Sequence, residues 1–245
     1  MIDALDHLTV RTSFRDGAVG AYETLLGCQA EGGRLRVGNV GVTIEDHAST
    51  AQLSAMVFAT ASLDKAQRLL ERRAVPSERD GDRLILSTQA THQVPIAMIE
   101  RVAMPEPSPL LKSSEAASIT SLDHVVVRTP NPERAIALYA GRLGLDLRLD
   151  RSNPDWGSRL LFFRCGDLVV AIAHDLKKGV SDAPDRLWGL SWRVPDVAKA
   201  QARLTASGLD VTEPRDGRRP GSQVFSVKDR TEGVPTLVIG GIGRW

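Results

Sequence analysis

A chain of 245 residues, 42% hydrophobic and 25% charged, has globular composition and the length of one large domain or two small ones. Basic residues number 31 and acidic residues 30, for a net charge of +1, and aromatics make up 4%. This excludes wholesale disorder, gives no basic excess for a nucleic-acid or membrane-surface binder, and leaves too few rings to track single strands. No apolar run approaches the ~20 residues that span a bilayer. The start, Met1-Ile2-Asp3-Ala4-Leu5-Asp6, is acidic and lacks the apolar core of a signal peptide, so a cytoplasmic protein is expected. Cys28 and Cys165 make neither a disulfide framework nor a thiolate zinc site.

In chain order, Leu5–Thr12 reads as a strand and Ala18–Leu26 as a helix. A helix over Leu63–Arg73 follows. The strand at Leu122–Thr129 repeats the first one: Leu-Asp-His-Leu-Thr-Val-Arg-Thr returns as Leu-Asp-His-Val-Val-Val-Arg-Thr, offset by 117 residues, with six of eight positions identical. The same offset carries Tyr22 onto Tyr139, Leu26 onto Leu143 and Gly27 onto Gly144. Further on, Lys65-Ala66-Gln67 matches Lys199-Ala200-Gln201, and Val94-Pro95 matches Val234-Pro235, at offsets that have grown to 134 and 140. The chain is a tandem duplication with longer loops in its second copy.

Each copy is itself double. In the second, Asn131-Pro132-Glu133 starts a helix with an N-cap, a first-turn proline and an acid at the positive end, and Gly144 ends it. Strands are expected at Leu145–Asp150, Arg159–Arg164 and Leu168–His174. The pattern then restarts with a strand at Leu190–Val194, a helix at Val197–Ser207, and strands at Leu209–Thr212, Gln223–Lys228 and Pro235–Ile239. The unit is βαβββ, present four times. Alternate prolines from Met104 to Pro109, then a small polar stretch, mark residues 104–119 as a linker between a first domain at 1–103 and a second at 120–245.

Four βαβββ units, opening in pairs on Leu-Asp-His strands, resemble the vicinal oxygen chelate superfamily of glyoxalases, extradiol dioxygenases, methylmalonyl-CoA epimerases and bleomycin resistance proteins. The stretch Leu122–Ala135 with Leu143-Gly144-Leu145, and the segment Pro220–Asp229, carry the likeness. The resemblance implies an α+β fold of two glyoxalase-like domains, each a curved eight-stranded sheet around a cavity. It also implies a metal that binds two adjacent substrate oxygens, held by residues from the first and last strands.

Carried over residue by residue, that ligand set is incomplete. The first-strand histidine is present as His7 and His124. The second histidine falls on Ala55 and Gly189, and the last-strand glutamate near Ala97 and Leu237. A rearranged divalent site would have to draw on His7 with Glu45 or His47 and Glu100, or on His124 with His174. Without it, His7 and His124 are either catalytic bases or locally bonded remnants of a metal site.

Strand alternation puts His124, Val126 and Arg128, and likewise Ser191 and Arg193, toward the cavity. It puts Asp6 and Asp123 on the opposite face, out of reach of their neighbouring histidines. Arg128 and Arg193 suit a carboxylate or phosphate, or else sit at strand ends, solvated or paired with Asp and Glu. Trp156 and Trp188, in the loops added to the second copy, are pocket walls or plugs of a domain interface. The expected function is binding or transformation of a small oxygenated, anionic or aromatic metabolite in the second domain, without the usual complete metal site. The alternative is a metal-dependent glyoxalase- or dioxygenase-like enzyme. No nucleic-acid or membrane partner is implied, and a homodimer is left open.

Overall fold

The computed structural model describes residues 2–47, 51–101 and 115–241. The first copy runs β1 (Ala4–Thr12), α1 (Arg15–Leu26), β2 (Arg34–Val37), β3 (Val40–Asp46), β4 (Gln52–Thr60), α2 (Leu63–Arg72), β5 (Ser77–Asp80), β6 (Arg83–Leu86) and β7 (Ile96–Glu100). After a 3-10 turn at Glu115–Ala117, the second runs β8 (Ser121–Arg128), α3 (Pro132–Ile136) continuing as a π-helical segment (Ala137–Arg142), β9 (Asp146–Asn153), β10 (Ser158–Cys165) and β11 (Leu168–Asp175). It closes with β12 (Arg186–Arg193), α4 (Val197–Ala206), β13 (Arg215–Asp216), β14 (Gln223–Val227) and β15 (Thr236–Gly240). The fold is mixed α+β with two sheets, ordered β2-β3-β1-β4-β7-β6-β5 and β13-β14-β15-β12-β8-β11-β10-β9. Neighbouring units therefore pair, and His7 and His124 occupy equivalent first strands of separate sheets.

The first sheet has seven strands among the described residues, not the eight expected. Between the cap of α1 at Gly27 and β2 lie only Cys28–Gly33, ending in a double glycine; that segment makes isolated bridges at Cys28 and Glu31, the latter to Arg34, in place of a strand. The second copy has Asp146–Asn153 at the same point, long enough for β9. Leu209–Thr212 is also not a strand: Val211 makes one bridge to Val227, and the edge strand is β13. Most of the expected linker, residues 104–114, lies outside the described residues. Its end is packed, with Ala117 and Ile119 buried.

The helices form where the signals lay. Asn131 caps α3 by accepting from Arg134 N–H, Asp196 caps α4 by accepting from Lys199 N–H, and Ser62 caps α2 in the same way through Lys65. Tyr22, Leu25, Tyr139 and Leu143 are buried from one face of each first helix, and Trp192 and Phe225 fill the second core.

The two copies meet through a pseudo-symmetric set of polar contacts. The Arg203 guanidinium of α4 donates to Thr24 O and Leu25 O at the end of α1 (3.0 and 2.8 Å), and Arg73, just beyond α2, donates to Arg142 O at the end of the π segment (2.9 Å). Each places a cation at a helix C-terminus, where the macrodipole favours it. Thr12 Oγ1 also donates across to Glu232 (2.6 Å), whereas Thr129 Oγ1, at the equivalent strand end, donates within the second copy to Asp185 (2.7 Å). Asn39, in the β2–β3 turn, accepts from Leu122 N–H (2.8 Å) and donates to Leu122 O (2.9 Å), clamping the backbone of β8 from the other copy. We predict that Asn39→Ala leaves both backbone groups without that partner and costs about 1–3 kcal/mol, read as a lower urea midpoint at unchanged slope.

Candidate functional site

The site grows from a defect in β8. In the antiparallel pairing with β12, His124 lies opposite Ser191 while Leu122 lies opposite Trp192, so Asp123 is an extra residue, a β-bulge. The bulge turns Asp123 onto the face of His124, and Asp123 Oδ2 meets His124 Nδ1 at 2.7 Å. The simple alternation that set this carboxylate on the far side fails here. β1 carries the same defect against β4 at Asp6, and His7 Nδ1 meets Asp6 Oδ1 at 2.7 Å.

Arginine completes each pair. Arg193 donates Nε to Asp123 Oδ1 (2.7 Å) and Nη2 to Asp167 O (3.0 Å). Arg193 is therefore not a cavity residue, as alternation had suggested: it lines a crevice of about 460 Å³ with Gly38, Asn39 and Thr120. In the first copy Arg34 pairs with Asp6. Gly41 stands opposite His7 and leaves room for the Arg34 guanidinium, since a Cβ there would lie 2.9 Å from Arg34 Nε. Burial raises the Asp123 pKa, but the bonds to His124 and Arg193 outweigh it and hold the carboxyl below its ordinary value. Asp6 is held low in the same way by His7 and Arg34. The copies differ in access. The His7 side chain is 4% exposed and that of His124 21%. With Nδ1 bound to a carboxylate, His124 keeps Nε2 for a ligand.

His124 lines a cavity of about 1190 Å³ in the second copy. The register sorts its sheet into rows. At the mouth, Arg186, Arg128, Ala173, Leu160 and Arg151 stand side by side across β12, β8, β11, β10 and β9. The next row is Val126, Ala171, Phe162 and Leu149. The deep row is Leu237, Ser191 and His124. Cations ring the mouth, an apolar strip crosses the middle, and the imidazole lies beneath.

Both tryptophans are walls, not interface plugs. Trp188 lies under the Arg128 guanidinium (4.2 Å), and Trp156 lies against Arg218 and Arg151 (4.9 and 5.8 Å). A second bulge in β12, at Trp188, puts its ring beside Arg128. Ser191 is buried below the lining, and its Oγ has no hydrogen-bond partner among the described residues. His174 lines the cavity, with Nδ1 bonded to Thr129 O (3.1 Å). Sequence reasoning missed Arg34, Arg151 and Arg186. Arg186 and Trp188 sit two apart just before the expected strand at Leu190, which was the available signal.

The residues do not fit a chelated divalent ion. The cross-strand neighbours of His124 are Ser191 and then Leu237, so the second-histidine position falls on Ser191, not Gly189. One imidazole, one hydroxyl and a hydrocarbon do not make the three-ligand set such an ion needs. In the first sheet the row is His7, Val57 and Ala97, so Val57, not Ala55, takes that position.

The rearranged sets also come apart. His174 is five residues beyond Val169, the partner of His124, or about 16 Å along the strand. Glu45 pairs with Arg11 (3.6 Å) at one end of β1, and Glu100 accepts from Leu63 N–H beyond the other end. Among the described residues no three His, Cys, Asp or Glu side chains are grouped to hold a metal. No helix among them is long and apolar enough to cross a membrane.

The family model for the glyoxalase/bleomycin resistance protein/dioxygenase superfamily matches residues 123–225. An ethylmalonyl-CoA/methylmalonyl-CoA epimerase of Cereibacter sphaeroides is 27% identical over 109 residues, covering 40% of this chain and 81% of the epimerase. A halotolerant catechol dioxygenase superposes with a TM-score of 0.76 at 12% identity, over 100% of this chain and 89% of that one. The Mn(II)-bound glyoxalase from Novosphingobium aromaticivorans gives 0.73 at 12% identity, over 99% and 83%. At such identities these structures share the fold.

Asp123→Ala strands Arg193, whose side chain is 9% exposed, and should cost about 3–5 kcal/mol in denaturant unfolding. Asp6→Ala should cost less, because Arg34 at 36% can be resolvated. The lowered folded pKa of Asp123 gives stability that is present above the unfolded value of about 3.9 and is lost as pH falls below it. Asp123→Asn should therefore flatten the stability profile below about pH 4.

Proposed function

We propose, for a chain whose residues 123–225 form a domain of the glyoxalase/bleomycin resistance protein/dioxygenase superfamily, that the second-copy cavity takes a small oxygenated metabolite with an anionic group and an apolar or aromatic body. The observation that carries this is the charge of the mouth. Arg128, Arg151 and Arg186 line it, and none pairs with a carboxylate among the described residues. The lining acids are engaged elsewhere: Asp123 with His124 and Arg193, Asp175 with Lys177 N–H. Guanidinium groups at an apolar cavity suit a carboxylate or phosphate on a hydrophobic body. This is also the charge class of the substrates in the epimerase relative's name, which are acyl-CoA anions.

The ligand is held without a chelated metal, and the chemistry within reach is proton transfer at His124 Nε2. Asp123 fixes the Nδ1–H tautomer and would stabilise the imidazolium. Ser191 Oγ, in the adjacent register position, offers a hydrogen bond at the same depth.

Titration calorimetry with naphthalene-2-carboxylate should show binding that is the same with and without EDTA. Arg128→Gln should weaken it about tenfold or more, the scale of one charge-assisted hydrogen bond. Elemental analysis of the purified chain should find no stoichiometric Fe, Mn, Ni or Zn. A tightly held ion, or binding abolished by EDTA, would restore the metal-dependent reading.

A further inference from the structure

We propose that the ligand is anionic at both ends, a flat or extended dianion lying along the mouth row with its apolar centre over Ala173 and Leu160. This rests on the cavity reading above and narrows it to a substrate class.

The argument starts from a like-charged pair. Arg128 and Arg186 are directly opposed on antiparallel strands, an arrangement that destabilises a sheet unless something lies between or above the charges. Neither has a carboxylate partner among the described residues, and Trp188 supports only the Arg128 face. Two convergent guanidinium groups at a cavity mouth form a fork for one carboxylate or phosphate group.

The far end of the same row repeats the device. Arg151 stands in register with Leu160, which is in register with Ala173, which is in register with Arg128. Arg151 and Arg218 both lie against the Trp156 ring, so this end is also a cation pair on an indole, with no carboxylate partner among the described residues. The two ends are three strand spacings apart, about 14 Å along the sheet. Curvature and the inward reach of both guanidinium groups shorten the gap a ligand must bridge. Between them the floor is hydrocarbon. A monoanion would fill one end and leave the other pair without a counter-charge.

The test compares each of terephthalate, naphthalene-2,6-dicarboxylate and biphenyl-4,4′-dicarboxylate with its own monoacid by calorimetry on the full chain. At least one diacid should bind on the order of tenfold tighter than its monoacid, the scale of one added charge-assisted hydrogen bond. Arg151→Gln should erase that advantage and leave the monoacid unchanged, while Arg186→Gln should weaken both. Arg148→Gln, on the same strand but paired with Asp146 outside the cavity, removes equal charge and should change neither. Circular dichroism checks that each variant is folded.

If every monoacid binds as well as its diacid, or if Arg148→Gln erases the advantage as Arg151→Gln does, the two-ended site is wrong and the cavity reading stands. If no acid of either kind binds, both fall.

Discussion

The carboxylate of Asp123 is the hub on which the second copy turns. It is fully buried, and a buried charge is tolerated only when paired and hydrogen-bonded. Arg193 supplies the charge, and the imidazole of His124 takes the other oxygen. Both contacts depend on the bulge, because in a regular strand Asp123 would face away from His124. The bulge in turn depends on β12, which offers one residue where β8 offers two. Tautomer, strand pairing and charge balance are thus one arrangement, and none can change alone.

The same hub exists twice with different arginines. In the second copy the cation comes from the antiparallel neighbour β12; in the first it comes from β2, past Gly41. Duplication kept the aspartate and the histidine in register and filled the need for a counter-charge from opposite sides. The common role of the aspartate–histidine pair is to hold a bulged first strand.

Much of this was legible because it is periodic or local. The repeated Leu-Asp-His strand, the helix caps at Asn131 and Asp196, and the restarts of the βαβββ pattern are short-range signals, and they gave the sheets and their helices. What could not be read depends on pairing. A bulge has no residue signature of its own, so Asp123 was set on the wrong face and Arg193 was placed in the cavity. A seven-stranded first sheet follows from the seven residues between α1 and β2, a short length that the βαβββ template overrides. Arg186 and Arg151 are ordinary surface arginines in the sequence. They become a row with Arg128 only once the register of four strand pairs is known.

The copies then diverged in access, not in machinery. The longer β9–β11 hairpins supply Trp156 and Arg151, and the start of β12 supplies Arg186 and Trp188, which line the cavity over the second sheet beside Arg128 of β8. Beneath the first sheet's shorter hairpins, the same histidine is enclosed and bonded. There the His7 side chain is 4% exposed, which leaves little of its second nitrogen open to a ligand. Given a cavity, the free nitrogen of the same pair can meet a ligand. What distinguishes the copies is therefore not a new residue on β8 but the extra chain around it. Beside His124, Ser191 and Leu237 stand where a chelated ion would need donors. On the proposed function, an anionic ligand would be attracted by the mouth, positioned over the apolar row, and met at depth by one oriented imidazole.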